Sequence, residues 1–505
     1  MRRRLSADTW ALPPARLLEH ADGAWAVFEA TCDWPVPWTS PPGEAIKDLE
    51  RLLVFAQALA ETLEELHRHR LAWLPFDPVE IERDGAGRMR ITNLDLRVFP
   101  FGQCPEDLRT KAAFAAPEIA RFHAAEVGPR TDVYHLALCC WYWLARMLPD
   151  GIPGAGLDAF YHELPPLRIY APTVPEGIET VLRQGLAVVA GQRFTSPSGL
   201  VEALREAVHR SRIRRRWTGS IRWEIGQHTR AGRTKEALQK ANEDQILVRE
   251  QPSPPRALVA VADGISTCDV GSGQTASLIA TVALDKAFDA RARGADFAVK
   301  ITDLCRHGTQ TLLDWAMEKG YAEQLSQGRD LMGTTLTAGW LEGRELQLAN
   351  LGDSRAYLVD GPLVEQLTVD GDLGSHLLGQ RTPPEQLREL GLMAKALREC
   401  IGGCTVTPQG KVEVLDDSCI PKITRWPLLP GDIVVLCTDG LVEDGAFLDE
   451  AALGELVQAH RKMPAQELAE LLVEAADALQ RLPTPLEPEG FGDNISCVVI
   501  KILDA

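Results

Sequence analysis

The stretch A-L-V-A-V-A-D-G-I-S-T, Ala257 to Thr267, decides how the rest of the chain reads. An apolar run with β-branched members stops abruptly at Asp263-Gly264, and small polar residues then lead towards a helix beginning near Ser272. Such a run, closed by a turn signal, predicts a buried strand that delivers one carboxylate to its tip. Gly264 lets the backbone turn sharply and expose its own carbonyl. One Asp-Gly pair proves little, because the chain holds eight and each usually marks a turn. This one has company. Asn242-Glu243-Asp244 precedes an apolar stretch, and Gly352-Asp353-Ser354-Arg355 follows Leu346-Gln347-Leu348-Ala349. Thr438-Asp439-Gly440 follows residues 433–436, and Gly492-Asp493-Asn494 precedes residues 495–502. Carboxylates at strand ends suit a cluster of hard oxygen ligands for Mg²⁺ or Mn²⁺. The competing reading is a solvated surface, since most of the 71 Asp and Glu residues must be exposed. It accounts poorly for Asp263 and Asp493, which adjoin apolar runs.

Outward from this stretch, strands are predicted at 245–249, 257–262, 334–341, 345–351, 355–359, 432–438 and 494–502. Helices fit at 272–289, 297–318, 449–460 and 464–480. Antiparallel strands with long helices between them predict a layered α+β domain. Two divalent ions in such a site lower the pKa of a bridging water and clamp a phosphoryl oxygen, with no side-chain nucleophile. Other nucleophiles are poorly represented. There is no G-x-S-x-G, and the two C-x-x-x-x-x-R spacings, Cys140–Arg146 and Cys419–Arg425, lack a phosphate-cradling glycine loop.

In order along the chain, N-E-D, V-A-D-G, G-T-T, N-L-G-D-S-R-A-Y-L, L-T-V-D, C-T-D-G-L and G-D-N-I-S resemble the metal-dependent type 2C Ser/Thr protein phosphatases. The resemblance covers residues 220–505. It implies a four-layer (α/β/β/α) sandwich of two antiparallel sheets. It also implies a phosphoric monoester hydrolase that acts on phosphoserine and phosphothreonine in proteins, using two Mg²⁺ or Mn²⁺ ions and a weaker third. Carried over, Asp263 bridges both ions and the Gly264 carbonyl binds one, while Asp439 and Asp493 hold the other. Glu243 and Asp244 act largely through metal-bound water. Asp353, with Asp439, matches the third site, where Glu443 stands in a place often filled by aspartate. Asn494 orients its neighbour, Gly333-Thr334-Thr335 serves as core backbone, and Arg355 pairs structurally. Two departures stand out. The family's phosphate-gripping arginine position is Gln239 here, with Lys240 beside it, and Arg230 or Arg233 offers another route to the phosphate. Lysine lacks the two-pronged grip of arginine. Ile265 replaces a general-acid histidine found in some members, leaving water to protonate the leaving group. The stretch from Asp372 to Val412 lies where the family carries a variable flap.

Upstream, the basic run H-R-S-R-I-R-R-R-W at 209–217 predicts a helix end followed by a linker over 211–219. Residues 1–210 read as mainly helical. Leu49, Leu52, Leu53, Ala56, Leu59, Leu63 and Leu66 follow helical spacing, and a hairpin is predicted about Asp84-Gly85-Ala86-Gly87. Leu66-His67, Ala116-Pro117-Glu118, Asp132-Val133-Tyr134 and Arg193 together resemble the C-terminal lobe of a protein kinase. The resemblance implies a Glu118–Arg193 ion pair. Pro75 stands in place of the catalytic aspartate and Glu80 in place of the magnesium-binding asparagine; D-F-G reads Asp95-Leu96-Arg97, and no glycine-rich loop precedes it. Phosphoryl transfer depends on those parts. The expectation is therefore a pseudokinase-like module that binds a partner kinase, selects substrates or restrains the phosphatase. A catalytically silent signalling scaffold is the alternative for the whole chain.

A chain of 505 residues predicts at least two domains. A net charge of −18 argues against a nucleic-acid surface. The eleven cysteines include no C-x-x-C, which predicts buried free thiols in a cytoplasmic protein. The run 133–148 is too short and too polar to span a membrane.

Overall fold

A computed structural model describes residues 16–20, 23–27, 31–32, 42–73, 81–83, 89–91, 96–103, 116–120, 124–145, 166–172, 174–291, 296–361, 363–380, 382, 389–407, 411–443, 447–481 and 492–505. The chain divides into two compact units between Ile213 and Arg214.

In the N-terminal unit the leucine spacing forms the helix Pro42–Arg68, with Leu49, Leu52, Ala56, Leu59 and Leu63 buried. It packs on the helix Pro129–Ala145, where Phe55 and Trp143 lie with ring centroids 5.1 Å apart. That second helix is buried all round, which explains its lack of an amphipathic pattern. Two of this unit's polar contacts join side chains far apart in the sequence. Arg193 Nη1 and Nη2 reach Glu118 Oε1 and Oε2, each at 2.9 Å, so the expected pair is present and two-pronged. His67 Nε2 lies 2.7 Å from Asp132 Oδ2. The unit holds more sheet than the sequence predicted. Strands Arg16–His20, Gly23–Val27, Leu96–Pro100 and Leu71–Trp73 lie side by side in that order. Strands Ile81–Arg83 and Met89–Ile91 pair antiparallel across the predicted hairpin. Pro75, Glu80 and Asp95 lie outside the described residues.

The C-terminal unit is built on two five-stranded antiparallel sheets. One runs Lys422–Pro427, Glu345–Leu351, Leu336–Glu342, Pro255–Ala262, Gln245–Pro252. The other runs Leu363–Gln366, Arg355–Asp360, Ile433–Cys437, Ile495–Asp504, Ile221–Arg230. The apolar run at 257–262 is continuous because both its faces are covered. Ala257, Val259 and Val261 meet the second sheet, while Leu258, Ala260 and Ala262 meet the helices Gly273–Arg291 and Phe297–Glu318. On the far side, Ile433, Val435 and Cys437 face the helices Glu450–Ala459 and Ala465–Leu479, and Val434 and Leu436 face inward. This period-two division produces the expected α/β/β/α layering. The strands Leu363–Gln366 and Lys422–Pro427 were not predicted. They are edge strands whose mixed polar sequences carry little alternation.

The basic run 209–217 is not an extended linker for most of its length. It forms the final turns of the helix Pro197–Arg216. Arg214, 1 % exposed, pairs with Asp432 and, at 2.9 Å, with Asp360. Arg344 Nη1 donates to the Arg214 carbonyl at 2.8 Å. No helix among the described residues is long and apolar enough to cross a membrane.

Candidate active site

Strand register brings the predicted carboxylates to one end of the sandwich. Ala262, just before Asp263, pairs with Gln245, just after Asp244. Leu336 pairs with Leu351, which places Asp353 beside the Gly333-Thr334-Thr335 segment. In the other sheet Cys437, just before Asp439, pairs with Cys497, just after the Asp493-Asn494 turn. Each acid is thus fixed by a strand end rather than by a free loop.

The G-T-T segment clamps the turn at Asp263. Thr335 N donates to the Asp263 carbonyl at 2.9 Å, Thr334 Oγ1 donates to it at 2.8 Å, and Asp263 N donates to Thr335 Oγ1 at 3.0 Å. Gly264 has no room for a side chain: a Cβ would lie 2.3 Å from the Gly273 backbone. Asp244 is 2 % exposed, with Ser496 Oγ and Thr438 Oγ1 donating to its Oδ2 at 2.7 and 2.9 Å. Its Oδ1 is buried with no hydrogen-bond partner among the described residues, as is Oδ1 of Asp439. Asp493 Oδ1 accepts from Asn494 N at 2.8 Å, so the main chain of Asn494 holds its neighbour while its side chain makes no hydrogen bond among the described residues.

Enclosure and mutual repulsion raise the proton affinity of several of these acids. Burial, then the charges of Asp244, Asp439, Asp493 and Asp353, hold the Asp263 carboxyl well above the usual carboxylate range. Asp353 is pushed to about 8 by burial and by Asp439 and Asp370. Asp244 reaches about 7 through burial, partly offset by its two hydroxyl donors. Asp439 reaches about 6, again through burial and then the charge of Asp493. Oxygen ligands with bare, buried lone pairs and unrelieved negative charge fit hard divalent cations. Among the described residues, no three His, Cys, Asp or Glu side chains close on a single point as a finished ion site would.

The remaining predicted residues sit around this core. Glu243 accepts a hydrogen bond from Ser266 Oγ, and Glu443 lies 3.4 Å from Lys395 Nζ of the flap stretch. Arg355 is held by Asp370, with contacts of 2.7 to 3.1 Å. Gln239 and Lys240 are exposed. Arg230 and Arg233 reach Asp477, at 3.4 and 2.6 Å, rather than the acid cluster. A cation that does reach Asp493 in the cluster is Lys235, which sequence reasoning missed. It is 7 % exposed, with Nζ 2.9 Å from Asp493 Oδ1 and 3.2 Å from Ser266 Oγ. Nothing local distinguishes it from Arg230, Arg233 or Lys240.

Residues 231–475 match the family described as Protein phosphatase 2C. The serine/threonine protein phosphatase PstP of Mycobacterium tuberculosis is 28% identical over 282 residues, which is 54% of this chain and 45% of that protein. The serine/threonine phosphatase stp of Listeria innocua is 28% identical over 174 residues, 34% of this chain and 57% of that protein. The chain thus spans about half the length of these curated relatives. A crystal structure of the PstP catalytic domain in complex with two manganese ions shares 24% identity, covers 56% of this chain and 100% of that one, and has a TM-score of 0.37. Within its C-terminal half the chain is thus similar to the protein phosphatase 2C family over residues 231–475.

Proposed function

We propose that the chain hydrolyses phosphoserine and phosphothreonine in proteins with the help of two divalent ions, Mg²⁺ or Mn²⁺. The observation that carries this reading is the pair of buried, unpartnered carboxylate oxygens on Asp244 and Asp439, beside Asp263. Asp263, the Gly264 carbonyl, Asp439 and Asp493 would hold the ions directly, and Glu243 and Asp244 through water. Asp353 and Glu443 would line a weaker third position. Bound there, the ions supply an activated water and a clamp for phosphoryl oxygens. The chain's own part is positioning. Thr334 and Thr335 fix the Asp263 turn, Ser496 and Thr438 orient Asp244, and the close Gly264–Gly273 approach keeps side chains away from the carbonyl.

For the N-terminal unit we propose a kinase-like, non-catalytic module that binds a partner kinase or regulator. The two-pronged Glu118–Arg193 pair and the His67–Asp132 contact support it. Absence of ATP binding is expected, and nucleotide titration checks it. A catalytically silent scaffold is favoured by one observation, the outward exposure of Gln239 and Lys240.

Turnover of p-nitrophenyl phosphate and of a phosphothreonine peptide, with and without Mn²⁺, separates these readings. Mn²⁺-dependent turnover is expected, falling by roughly 10²-fold or more in Asp263→Asn and Asp439→Asn. No turnover with or without Mn²⁺ would leave the scaffold, and equal rates with chelator or in both variants would overturn the metal-dependent reading.

A further inference from the structure

We propose that Lys235 is a tethered counter-cation: its ammonium holds the Asp493 side of the acid cluster together when no divalent ion is bound, and ion binding displaces it. The inference rests on the metal-dependent reading above. Lys235 Nζ stands 2.9 Å from Asp493 Oδ1 and 3.2 Å from Ser266 Oγ, and Ser266 in turn donates to Glu243. One ammonium therefore joins two of the carboxylates that would hold the ions. Its charge also acts on Asp263. Arg355, whose charge reaches Asp353 and Asp439, is committed to Asp370.

The placement of Lys235 is built, not incidental. The short helix Arg233–Ala237 that carries it is pinned on both sides. Thr234 Oγ1 donates to the Arg481 carbonyl at 2.7 Å, and Arg233 Nε to Asp477 at 2.6 Å. Gly232 lies so close to the Asp493 carbonyl that a Cβ there would stand 2.1 Å from it. The backbone is fixed, so any movement of the ammonium falls to the flexible four-carbon stem. A lysine so placed relieves the repulsion that otherwise opposes gathering five acids at one end of a sandwich. It also repels an incoming divalent ion, because like charges a few ångströms apart in a buried site interact strongly. Asp493 Oδ1 cannot give its best geometry to the ammonium and to an ion at once.

The test is Mn²⁺ binding by isothermal titration calorimetry, with thermal melting in EDTA and in saturating Mn²⁺, on the full chain and its Lys235→Met and Lys235→Gln variants. Both variants are expected to bind Mn²⁺ roughly tenfold more tightly or better. Both should melt below wild type in EDTA and level with it in Mn²⁺. Lys235→Gln keeps hydrogen-bonding groups for Asp493 and Ser266, so it serves if Lys235→Met does not fold. Mn²⁺ binding of equal or weaker affinity in the variants overturns the counter-cation role and leaves the metal reading intact. Absence of Mn²⁺ binding in all three proteins overturns the metal reading and the inference with it.

Discussion

Asp244 has one oxygen satisfied by two hydroxyls and one bare oxygen, at 2 % exposure. That arrangement has a sign in pH. An unfolded aspartate titrates near 3.9, whereas Asp439, Asp244 and Asp353 are held at about 6, 7 and 8. Between those limits the folded, metal-free chain holds more protons than the unfolded one, so its stability falls as pH rises. Each carboxyl contributes up to about 1.4 kcal/mol per pH unit where it is protonated in the folded chain and ionised in the unfolded one. Chelator-treated protein is therefore expected to melt lower at pH 8 than at pH 5.5, and saturating Mn²⁺ to abolish the difference. A melting temperature flat across that window without metal would count against the raised values. At this scale the sequence was legible where a carboxylate touched an apolar run, as at Asp263, Asp439 and Asp493. Lys235 was not legible, because its surroundings come from Asp493 and Ser266, which lie far from it in sequence.

Among elements, the turn after Pro255–Ala262 is the tightest point, where Gly264 and Gly273 approach backbone to backbone. Gly264→Ala must force them apart, at a cost on the order of 3 kcal/mol, and thermal melting would read it as a large drop. The Glu118–Arg193 pair makes a separate prediction in the N-terminal unit. Both side chains are buried, so Arg193→Met strands a carboxylate and should cost about 3–5 kcal/mol. The double change Glu118→Gln with Arg193→Met should cost less, a difference that a denaturant series measures. The long elements were readable because two-sided burial writes an unbroken apolar run and one-sided helix burial writes a 3.6-residue stripe. Lys422–Pro427 and Leu363–Gln366 were not, because an edge strand is specified by its neighbour's register more than by its own residues. In the N-terminal unit Arg16–His20 and Leu71–Trp73 were hidden for a related reason: at five and three residues they are too short to show a period.

For the molecule as a whole, the division at Ile213 and Arg214 falls inside the helix Pro197–Arg216. Arg214 lies at the end of that helix, yet it neutralises Asp432, 2 % exposed, and Asp360. A chain beginning at Pro197 is expected to keep the melting temperature of the C-terminal unit, and one beginning at Thr218 to lose several degrees. Removing one partner of a buried pair leaves the other as an uncompensated charge. Circular dichroism on the two truncations measures this directly. The consequence reaches any attempt to learn what the first 213 residues do. A deletion drawn at the end of the visible helix amputates a residue that the C-terminal unit owns. The resulting loss of rate would then look like activation by the missing partner when it is only a wound in the remaining one.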